Sequence, residues 1–420
     1  MLRRTFGLVK SPAGAVLFVK QPLSSVYMPG GFWTLPGEEH SVSGEMEAAS
    51  DDALRSEPWL AALDVDRIKR VGMHPAAMVD HMKRVVLDVC TVDVRSEPAE
   101  TASVPPEDAA SCWLPPGTAE SVLERGLAAM DPEAIAVVRG DPDAAFRLAA
   151  DVDLFNVASD TIAPFTATNL LLFHGTERTV LVDPGGDAAA TERIVRQNVR
   201  ADVPLDVFLT HHHMDHVAAL PVVARVRPEA RVVADARTLG RIETAGLATL
   251  EAPQSIDLGG GRLLRIIATP GHTDGHLSVY DETSGVLAAG DHVVGYGSTT
   301  LDPGCGSMRE YLQTCHDLID VGARLLVPAH GPPCCQPKAL LEMYIKHRLA
   351  REDQCMAAVD AGASSLVAVT DHVYPELSPA IKVVALRNVR MHIIKLVEDG
   401  RLPSDPWLAA ARNDGDHSCE

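Results

Sequence analysis

The stretch T-H-H-H-M-D-H, from Thr210 to His216, decides how this sequence is interpreted. It places four histidines and one aspartate directly after the apolar run V-F-L, which reads as a buried strand. Side chains two apart at a strand end point the same way, so His211 and His213 can bind one ion. Asp215 and His216, just past the turn, can face a second ion. By chance the pattern would occur in roughly a few chains per thousand, so it predicts a metal site.

Three more apolar runs end in a residue that can bind a metal. The run I-I-A-T leads to His272, V-L-A-A-G leads to Asp291, and L-L-V-P-A leads to His330. Segments with a helical pattern, such as Ala188–Val199 and Val217–Arg225, lie between some of the runs, which is typical of an α/β domain. Because α/β sheets place their sites at strand ends, we expect these side chains to join those of the opening stretch.

The four motifs H-H-H-M-D-H, P-G-H-T-D-G-H, G-D-H and P-A-H-G, in this order, resemble the metallo-β-lactamase fold hydrolases over about Asp151 to Pro337. The resemblance implies an αββα sandwich, two packed sheets with helices outside, and two divalent ions, expected to be zinc, at one edge. Ala329 stands where the family usually has glycine and leaves the ligand in place. The implied ligands are His211, His213 and His272 for the first ion, Asp215, His216 and His330 for the second, and Asp291 between the two.

This ligand set predicts a metal-dependent hydrolase. Two ions about 3.5–4 Å apart can share a hydroxide that attacks an ester, thioester or phosphodiester bond at neutral pH. Asp215 is expected to be catalytic as well, because it can accept a proton or orient the water. By resemblance Asp183 supports the ligand loop, and His276 is expected to support ligands rather than bind metal. His212 and His292 are expected not to bind metal.

A longer resemblance, over about Asp151 to Leu402, leads to the beta-lactamase-like protein 2 branch. It rests on G-D-H-V-V-G-Y-G-S-T-T, Y-I-K-H-R-L-A-R-E-D-Q and N-V-R-M-H-I-I-K-L-V-E-D-G-R-L. It implies that a small helical, winged-helix-like domain at residues 338–412 follows the catalytic domain at 151–337. The branch includes an endoribonuclease acting on single-stranded RNA, and fungal thioesterases resemble it. Single-stranded RNA and a small ester or thioester are therefore both open as substrates.

The charges of the chain bear on this choice. Cations in the last domain could contribute to RNA binding, but Glu398 and Asp399 lie among them and the formal net charge of the chain is −20. A solvated helix face is the favoured interpretation of these cations. For a small substrate, the segment after Asp291 would line the cleft and contact it. The cations are Lys382, Arg387, Arg390, Lys395 and Arg401, and the expected substrate contacts are Tyr296, Ser298 and Thr299.

Residues 1–145 carry a different signal. The stretch G-G-F-W-T-L-P-G-E-E-H resembles the entry to a Nudix domain, an α+β fold whose working members need spaced glutamates for magnesium. The corresponding positions hold Ser43, Asp51, Asp52, Arg55 and Ser56, which predicts an inactive Nudix-like domain. A non-catalytic, metal-stabilised scaffold or ligand-binding protein is the alternative of another class. Seven candidate ligands argue against it, because a structural zinc site is usually closed by four.

Composition sets the remaining expectations. The chain has 420 residues, 46% of them hydrophobic, and no apolar run reaches the ~18 residues of a membrane span. The eight cysteines include no C-x-x-C pair, which indicates thiols in a reducing compartment. The start, M-L-R-R-T-F-G-L-V-K, lacks the apolar core of a signal peptide, so we expect a cytoplasmic protein and leave an organelle open. The sequence does not define an oligomeric state.

Overall fold

The computed structural model describes most of the chain beyond residue 144 and the strands that precede it. The continuous part covers residues 145–404 except 162–164, 166, 296–297, 302–303, 332, 335–336 and 376–378, and Trp407 is also described.

The first strands form one mixed seven-stranded sheet. Its first strand runs parallel to the sixth and antiparallel to the second and fourth. Ser43, Asp51, Asp52, Arg55 and Ser56 lie outside the described residues, and the Nudix-like identity stays a prediction. The strands are β1 (Leu2–Lys10), β2 (Val16–Lys20), β3 (Trp33–Thr34), β4 (Gly37–Ser41), β5 (Val65–Val79), β6 (Lys83–Val94) and β7 (Ser111–Leu114).

A second seven-stranded sheet carries the opening motif. Its strands are β8 (Phe146–Ala149), β9 (Val152–Ala158), β10 (Ala167–His174), β11 (Thr179–Val182), β12 (Leu205–Phe208), β13 (Arg231–Ala234) and β14 (Ala248–Glu251), in the order β14-β13-β12-β11-β10-β9-β8. Strands β11 to β14 run parallel. The helices of this half are α1 (Ala188–Asn198), α2 (Met214–Val217), α3 (Leu220–Val226) and α4 (Ala236–Leu239). Apolar residues of α1 and α3, such as Ile194 and Val223, share a core with Leu181 and Val207 of the sheet.

A five-stranded sheet carries the other three candidate ligands. It consists of β15 (Ser255–Gly259), β16 (Arg262–Ala268), β17 (Leu277–Asp281), β18 (Val286–Gly290) and β19 (Leu325–Pro328), in chain order. Helices α5 (Met308–Val321) and α6 (Pro337–Asp360) supply Leu312, Cys315 and Leu341 to a core with Leu287 and Leu326 of this sheet. Strands β16, β18 and β19 share one direction, since β16 and β18 each pair antiparallel with β17 and β19 pairs parallel with β18.

The last two sheets are joined directly by the backbone. The N–H of Asn169 donates to the Ala329 carbonyl at 2.7 Å, and the N–H of Leu277 donates to the Thr210 carbonyl at 2.8 Å. The two sheets therefore meet near the strand ends that carry the candidate ligands, and each sheet also shares a core with its own helices. The predicted mixed α/β fold is confirmed for this part of the chain.

Two further helices, α7 (Leu366–Val373) and α8 (Pro379–Glu398), follow α6. They form a core of their own with the second half of α6, in which Cys355, Val369 and Ile393 are buried. The first half of α6 instead packs on the five-stranded sheet, so this helix belongs to both cores. The winged-helix likeness and the domain boundaries stay predictions. Among the described residues, none of the helices has the length and apolar character needed to cross a bilayer.

Candidate metal centre

Seven side chains converge where strands of the two sheets end. β12 leads to the His211–His216 stretch, while β16, β18 and β19 lead to single residues of the other sheet. The side chains fall into two groups whose nitrogen and oxygen atoms lie within 4.8 Å of one another. The groups are His211, His213, His272 and Asp291, and Asp215, His216 and His330. The structure thus brings together all seven residues that the sequence selected.

The first group is a tight triangle of ring nitrogens. His211 Nε2 lies 2.9 Å from His213 Nδ1, and His272 Nε2 lies 3.3 and 3.1 Å from these two atoms. Zinc binds imidazole nitrogen at about 2.0–2.1 Å, so tetrahedral ligand nitrogens stand about 3.4 Å apart. The three rings are arranged at a spacing close to that of zinc ligands.

Asp291 connects the two groups through its two oxygens. Its Oδ2 lies 3.8 Å from His272 Nε2, whereas its Oδ1 lies 3.5 Å from His216 Nε2 and 3.3 Å from His330 Nε2. Asp215 completes the second group, with Oδ2 3.3 Å from His330 Nε2 and Oδ1 3.7 Å from His216 Nε2. One carboxylate therefore faces both groups, as a bridging ligand would.

Hydrogen bonds from Asp183 and Thr210 orient two histidine rings of the opening motif. Asp183 Oδ1 accepts the Thr210 backbone N–H at 2.8 Å, and its Oδ2 accepts the Thr210 hydroxyl at 2.7 Å and His216 Nδ1–H at 2.9 Å. The Thr210 oxygen, which donates to Asp183, lies 3.0 Å from His211 Nδ1 and can accept its proton. Asp183 is held at φ +51°, a backbone region that Asp and Asn tolerate better than most residues. These bonds turn the Nε2 atoms of His211 and His216 toward the centre.

Backbone carbonyls orient the two histidines of the other sheet. His272 Nδ1 donates to the Thr300 carbonyl at 2.7 Å, and His330 Nδ1 donates to the Ala167 carbonyl at 2.8 Å. The ring of Phe165 also stacks on His330 at a centroid distance of 5.4 Å. A histidine whose Nδ1 proton is held in this way presents Nε2 as a lone pair, the state that binds metal.

The electrostatics of the two groups differ. Burial and the neighbouring His216 hold the pKa of His211 well below its usual value, and burial with the neighbouring His213 lowers the pKa of His272 to about 4. Burial also disfavours charge on His330, but Asp291 and Asp215 outweigh it and raise the pKa of His330 to about 10. The lowered pKa values of His211 and His272 keep both rings of the first group neutral, whereas the raised pKa of His330 in the second group reflects the two carboxylates that it faces.

The donor set fits a bound cation on chemical grounds. The Nε2 lone pairs of His211 and His272 face each other 3.3 Å apart, an arrangement that repels unless a cation lies between them. His216 Nε2 and Asp291 Oδ1 are buried polar atoms without a hydrogen-bond partner. Such atoms are costly in a protein interior, and a metal ion would satisfy them. Five imidazoles with two carboxylates favour zinc over magnesium or calcium.

The residues expected not to bind metal lie around this centre. His276 is buried, with Nδ1 2.7 Å from the Thr269 hydroxyl and Nε2 accepting the Asp291 backbone N–H at 3.2 Å. His212 and His292 are outside both groups, and His292 stacks on Tyr311.

The three residues expected to contact substrate differ in what the structure describes of them. Tyr296 lies outside the described residues, and Ser298 is half-buried. The side chain of Thr299 is buried, and its carbonyl accepts a hydrogen bond from Arg348.

Sequence reasoning missed several residues that shape the centre. Thr210 adjoins the motif, so its position next to His211 was a usable signal. The carbonyls of Ala167 and Thr300 leave no trace in the sequence, because any residue supplies a carbonyl.

The comparison with known families agrees with this geometry. Residues 163–330 match the model of the metallo-beta-lactamase superfamily, so this part of the chain is a metallo-beta-lactamase domain with candidate metal-binding residues. That superfamily includes metal-dependent hydrolases, such as the enzyme named hydroxyacylglutathione hydrolase.

Individual relatives cover different shares of the chain. The beta-lactamase-like protein 2 homolog of Caenorhabditis elegans is 28% identical over 249 residues, which are 56% of this chain and 81% of the relative. Hydroxyacylglutathione hydrolase of Acidiphilium cryptum (strain JF-5) is 40% identical over 154 residues, which are 36% of this chain and 56% of the relative. The crystal structure of a beta-lactamase domain protein from Burkholderia ambifaria is similar with a TM-score of 0.53 and 19% identity, covering 62% of this chain and 89% of that one. The last similarity shows the fold alone.

Proposed function

We propose that the protein hydrolyses a small carboxylic thioester with the help of two divalent metal ions, most simply zinc. The observation that carries the proposal is the convergence of seven His and Asp side chains around Asp291, whose two oxygens face both groups. A structural zinc site is usually closed by four ligands, so seven ligands exceed what stabilisation alone needs. Bound in pairs, such ions lower the pKa of water and polarise the oxygen of a carbonyl group.

The first group is suited to holding its ion permanently. His211 and His272 are buried, neutral and oriented by fixed partners, so binding requires little reorganisation. We assign the first ion to His211, His213, His272 and Asp291.

Asp215 is suited to orient a water molecule, because it is ionised and held in a fixed direction. Burial would raise the pKa of Asp215, but the charge of His216 holds it well below the usual value, so its carboxylate is ionised at neutral pH. Its Oδ2 also interacts with His330 at 3.3 Å, which fixes its direction. We assign Asp215 the role of orienting the attacking water and accepting its proton, beside its part in the second ion's site with His216 and His330.

The charges of the C-terminal helices favour a small substrate over RNA. Lys382 pairs with Asp371, and Lys395 lies 2.9 Å from Glu352 and 2.6 Å from Asp399. RNA affinity depends on cations that neutralise phosphates, and carboxylates already neutralise these two lysines.

Two of the remaining cations named for RNA follow the same trend. Arg401 lies 2.6 Å from Glu352, and Arg390 is buried. The similarity to an enzyme named for hydroxyacylglutathione, which is a thioester, points to an acyl-thioester.

One parallel assay tests the proposal. Zinc-loaded full-length protein and its Asp215→Asn variant are given a panel of acyl-glutathione and acyl-coenzyme A thioesters and, separately, a labelled single-stranded RNA. We expect turnover of a thioester that falls by about 10²–10⁴-fold in Asp215→Asn, the usual contribution of a positioned acid–base group. Asp274→Asn is the matched control, because Asp274 lies two residues from His272 but pairs with Arg241 at the surface.

The other outcomes contradict the proposal in different ways. RNA cleavage that persists through purification and disappears in Asp215→Asn would show an endoribonuclease instead. Two bound metal equivalents without turnover of any substrate would support the metal-stabilised scaffold.

A further inference from the structure

We infer that Arg348, on the C-terminal helix α6, is a positioning residue for the first metal site and acts through His272. The inference rests on the proposed function, since it concerns the same metal centre. It makes α6 a working part of the site rather than a neighbour of it.

The first connection runs through the segment after Asp291. The side chain of Arg348 is 2% exposed, and its Nη2 donates to the carbonyl of Thr299. The next carbonyl along the chain, that of Thr300, accepts the Nδ1 proton of His272 at 2.7 Å. Arg348 therefore fixes the segment whose carbonyl sets the tautomer and direction of a metal-binding ring.

The second connection runs through Tyr311 of α5. The guanidinium carbon of Arg348 lies 5.0 Å from the centre of the Tyr311 ring. The backbone of Tyr311 presses on the residue before His272, since a Cβ on Gly271 would stand 2.4 Å from Tyr311 Cα. Gly271, at φ +134°, has a conformation that only glycine adopts easily. Arg348 thus contacts both structures that flank His272.

The same Tyr311 ring also contacts the residue that follows Asp291. It stacks on His292 at a centroid distance of 4.4 Å, and His292 directly follows Asp291. The effect of Arg348 is therefore expected at the first ion, which takes ligands from both His272 and Asp291.

A second helix of the C-terminal segment holds the same loop. Asn388 of α8 accepts the backbone N–H of Leu301 with its Oδ1 at 3.3 Å. Helices α6 and α8 therefore hold the residues on either side of Thr300, whose carbonyl orients His272.

The energetics argue against a purely packing role for Arg348. Burying a guanidinium is costly, and an apolar side chain of similar size would often stabilise the fold as well or better. What a methionine could not do is donate to the Thr299 carbonyl.

Helix α6 offers a matched control at Arg351. This arginine is also buried and covers an aromatic ring, lying 4.7 Å from the centre of Tyr374, and it donates to Gln354 Oε1 at 2.7 Å. Its described partners lie on α6 and at the end of α7, away from the ligand segments. Replacing it costs a comparable buried charge and ring contact without touching the metal loop.

The experiment measures metal binding by the full-length variants Arg348→Met and Arg351→Met. Affinities for the two zinc equivalents come from competition with a chromophoric chelator, and the absorption spectrum of the first Co²⁺ equivalent reports ligand geometry. We expect Arg348→Met to weaken the first equivalent by about 10–100-fold, the range for residues that orient a metal ligand, and to alter the Co²⁺ spectrum. Arg351→Met should leave both readouts at the wild-type values, while thermal unfolding in chelator records the stability cost of each change.

Two milder variants keep the test decisive if Arg348→Met does not fold. Arg348→Lys retains the charge, and Asn388→Ala removes the contact from α8. Both should weaken the first equivalent in the same direction by a smaller factor.

The outcomes separate this inference from the proposed function. Equal first-equivalent affinity in wild type and the Arg348 variants, or an equal loss in Arg351→Met, overturns the inference alone. Wild-type protein that binds no metal overturns both. Wild-type protein that binds metal but hydrolyses no thioester overturns the proposed function, and the effect of Arg348 on metal affinity still stands.

Discussion

The two sheets of the metallo-beta-lactamase domain supply their candidate metal ligands in different ways. The seven-stranded sheet delivers four of them in one run of the chain, from His211 to His216, and orients two through the side chains of Asp183 and Thr210. The five-stranded sheet delivers three single residues from three strands, and backbone carbonyls orient both of its histidines. The side chains that orient histidines on the seven-stranded sheet, here called the first sheet, can therefore be removed by substitution. The carbonyls that orient histidines on the five-stranded sheet, here called the second sheet, can be changed only through the residues that hold the backbone in place.

This contrast explains where the centre is coupled to the rest of the chain. On the first sheet, the hydrogen bonds that orient the histidines join only residues in the segments that follow strands β11 and β12. On the second sheet the carbonyl of Thr300 depends on Arg348 and Asn388, which lie on C-terminal helices. The second sheet is thus the half of the site that distant residues can influence.

The largest effect is expected at Asp291, where the two sheets meet. Asp291→Asn retains the shape but loses the charge that faces His272, His216 and His330. Removing a direct ligand should exceed the effect of changing its partners, so we expect metal affinity to fall by more than about 100-fold. Zinc content after gel filtration and chelator competition measure this, with Asp274→Asn as the control. Retention of two tight zinc equivalents would show that Asp291 does not bridge the ions.

An intermediate effect is expected at Asp183, the side-chain support of the first sheet. Asp183→Asn keeps a residue that tolerates φ +51°, so the backbone need not move. The amide has one acceptor oxygen and an NH2 group that can only donate, so it cannot accept the Thr210 N–H at one atom and the Thr210 hydroxyl and His216 Nδ1–H at the other. It also carries no charge, and we expect about 10–100-fold weaker binding at the second ion.

The control for this prediction is Asp187→Asn. Asp187 lies four residues further on and caps α1 by accepting the Ala190 N–H at 2.8 Å, a role that Asn also fills. Competition experiments that resolve the second equivalent should separate the two variants. Equal affinities would mean that Asp183 serves only the fold.

Much of the centre could be predicted from the sequence, for a physical reason. The site needs His and Asp side chains at the ends of apolar strands, and both the side chains and the apolar runs can be identified in the sequence. The run His211–His216 predicts the metal site, and His272, Asp291 and His330 each follow an apolar run. The α/β alternation likewise follows from periodicity in residues 151–337.

The supporting residues could not be predicted in the same way. The carbonyls of Thr300 and Ala167 orient His272 and His330, but a carbonyl is common to all residues and its use depends on the tertiary fold. Arg348 stood within a helical motif and gave no hint that it reaches a ligand segment 49 residues earlier. Whether Lys382 and Lys395 could bind RNA could be judged from the sequence only by the net charge and the neighbouring acidic residues. Their carboxylate partners depend on the tertiary fold.

The smallest effect is expected at Phe165, a packing support of the second sheet. Its ring stacks on His330 at 5.4 Å and an angle of 29°, while Ala167 holds the Nδ1 proton of the same histidine. Because the carbonyl remains, Phe165→Leu should remove only the ring contact, worth about 0.5–1.5 kcal/mol, or roughly 2–10-fold in second-ion affinity. Titration of the second zinc equivalent measures the change, and Phe173→Leu, at a buried ring on β10 outside the centre, controls for lost packing. A loss at Phe165 as large as that of Asp183→Asn would mean that packing, rather than the carbonyl, orients the histidines of the second sheet.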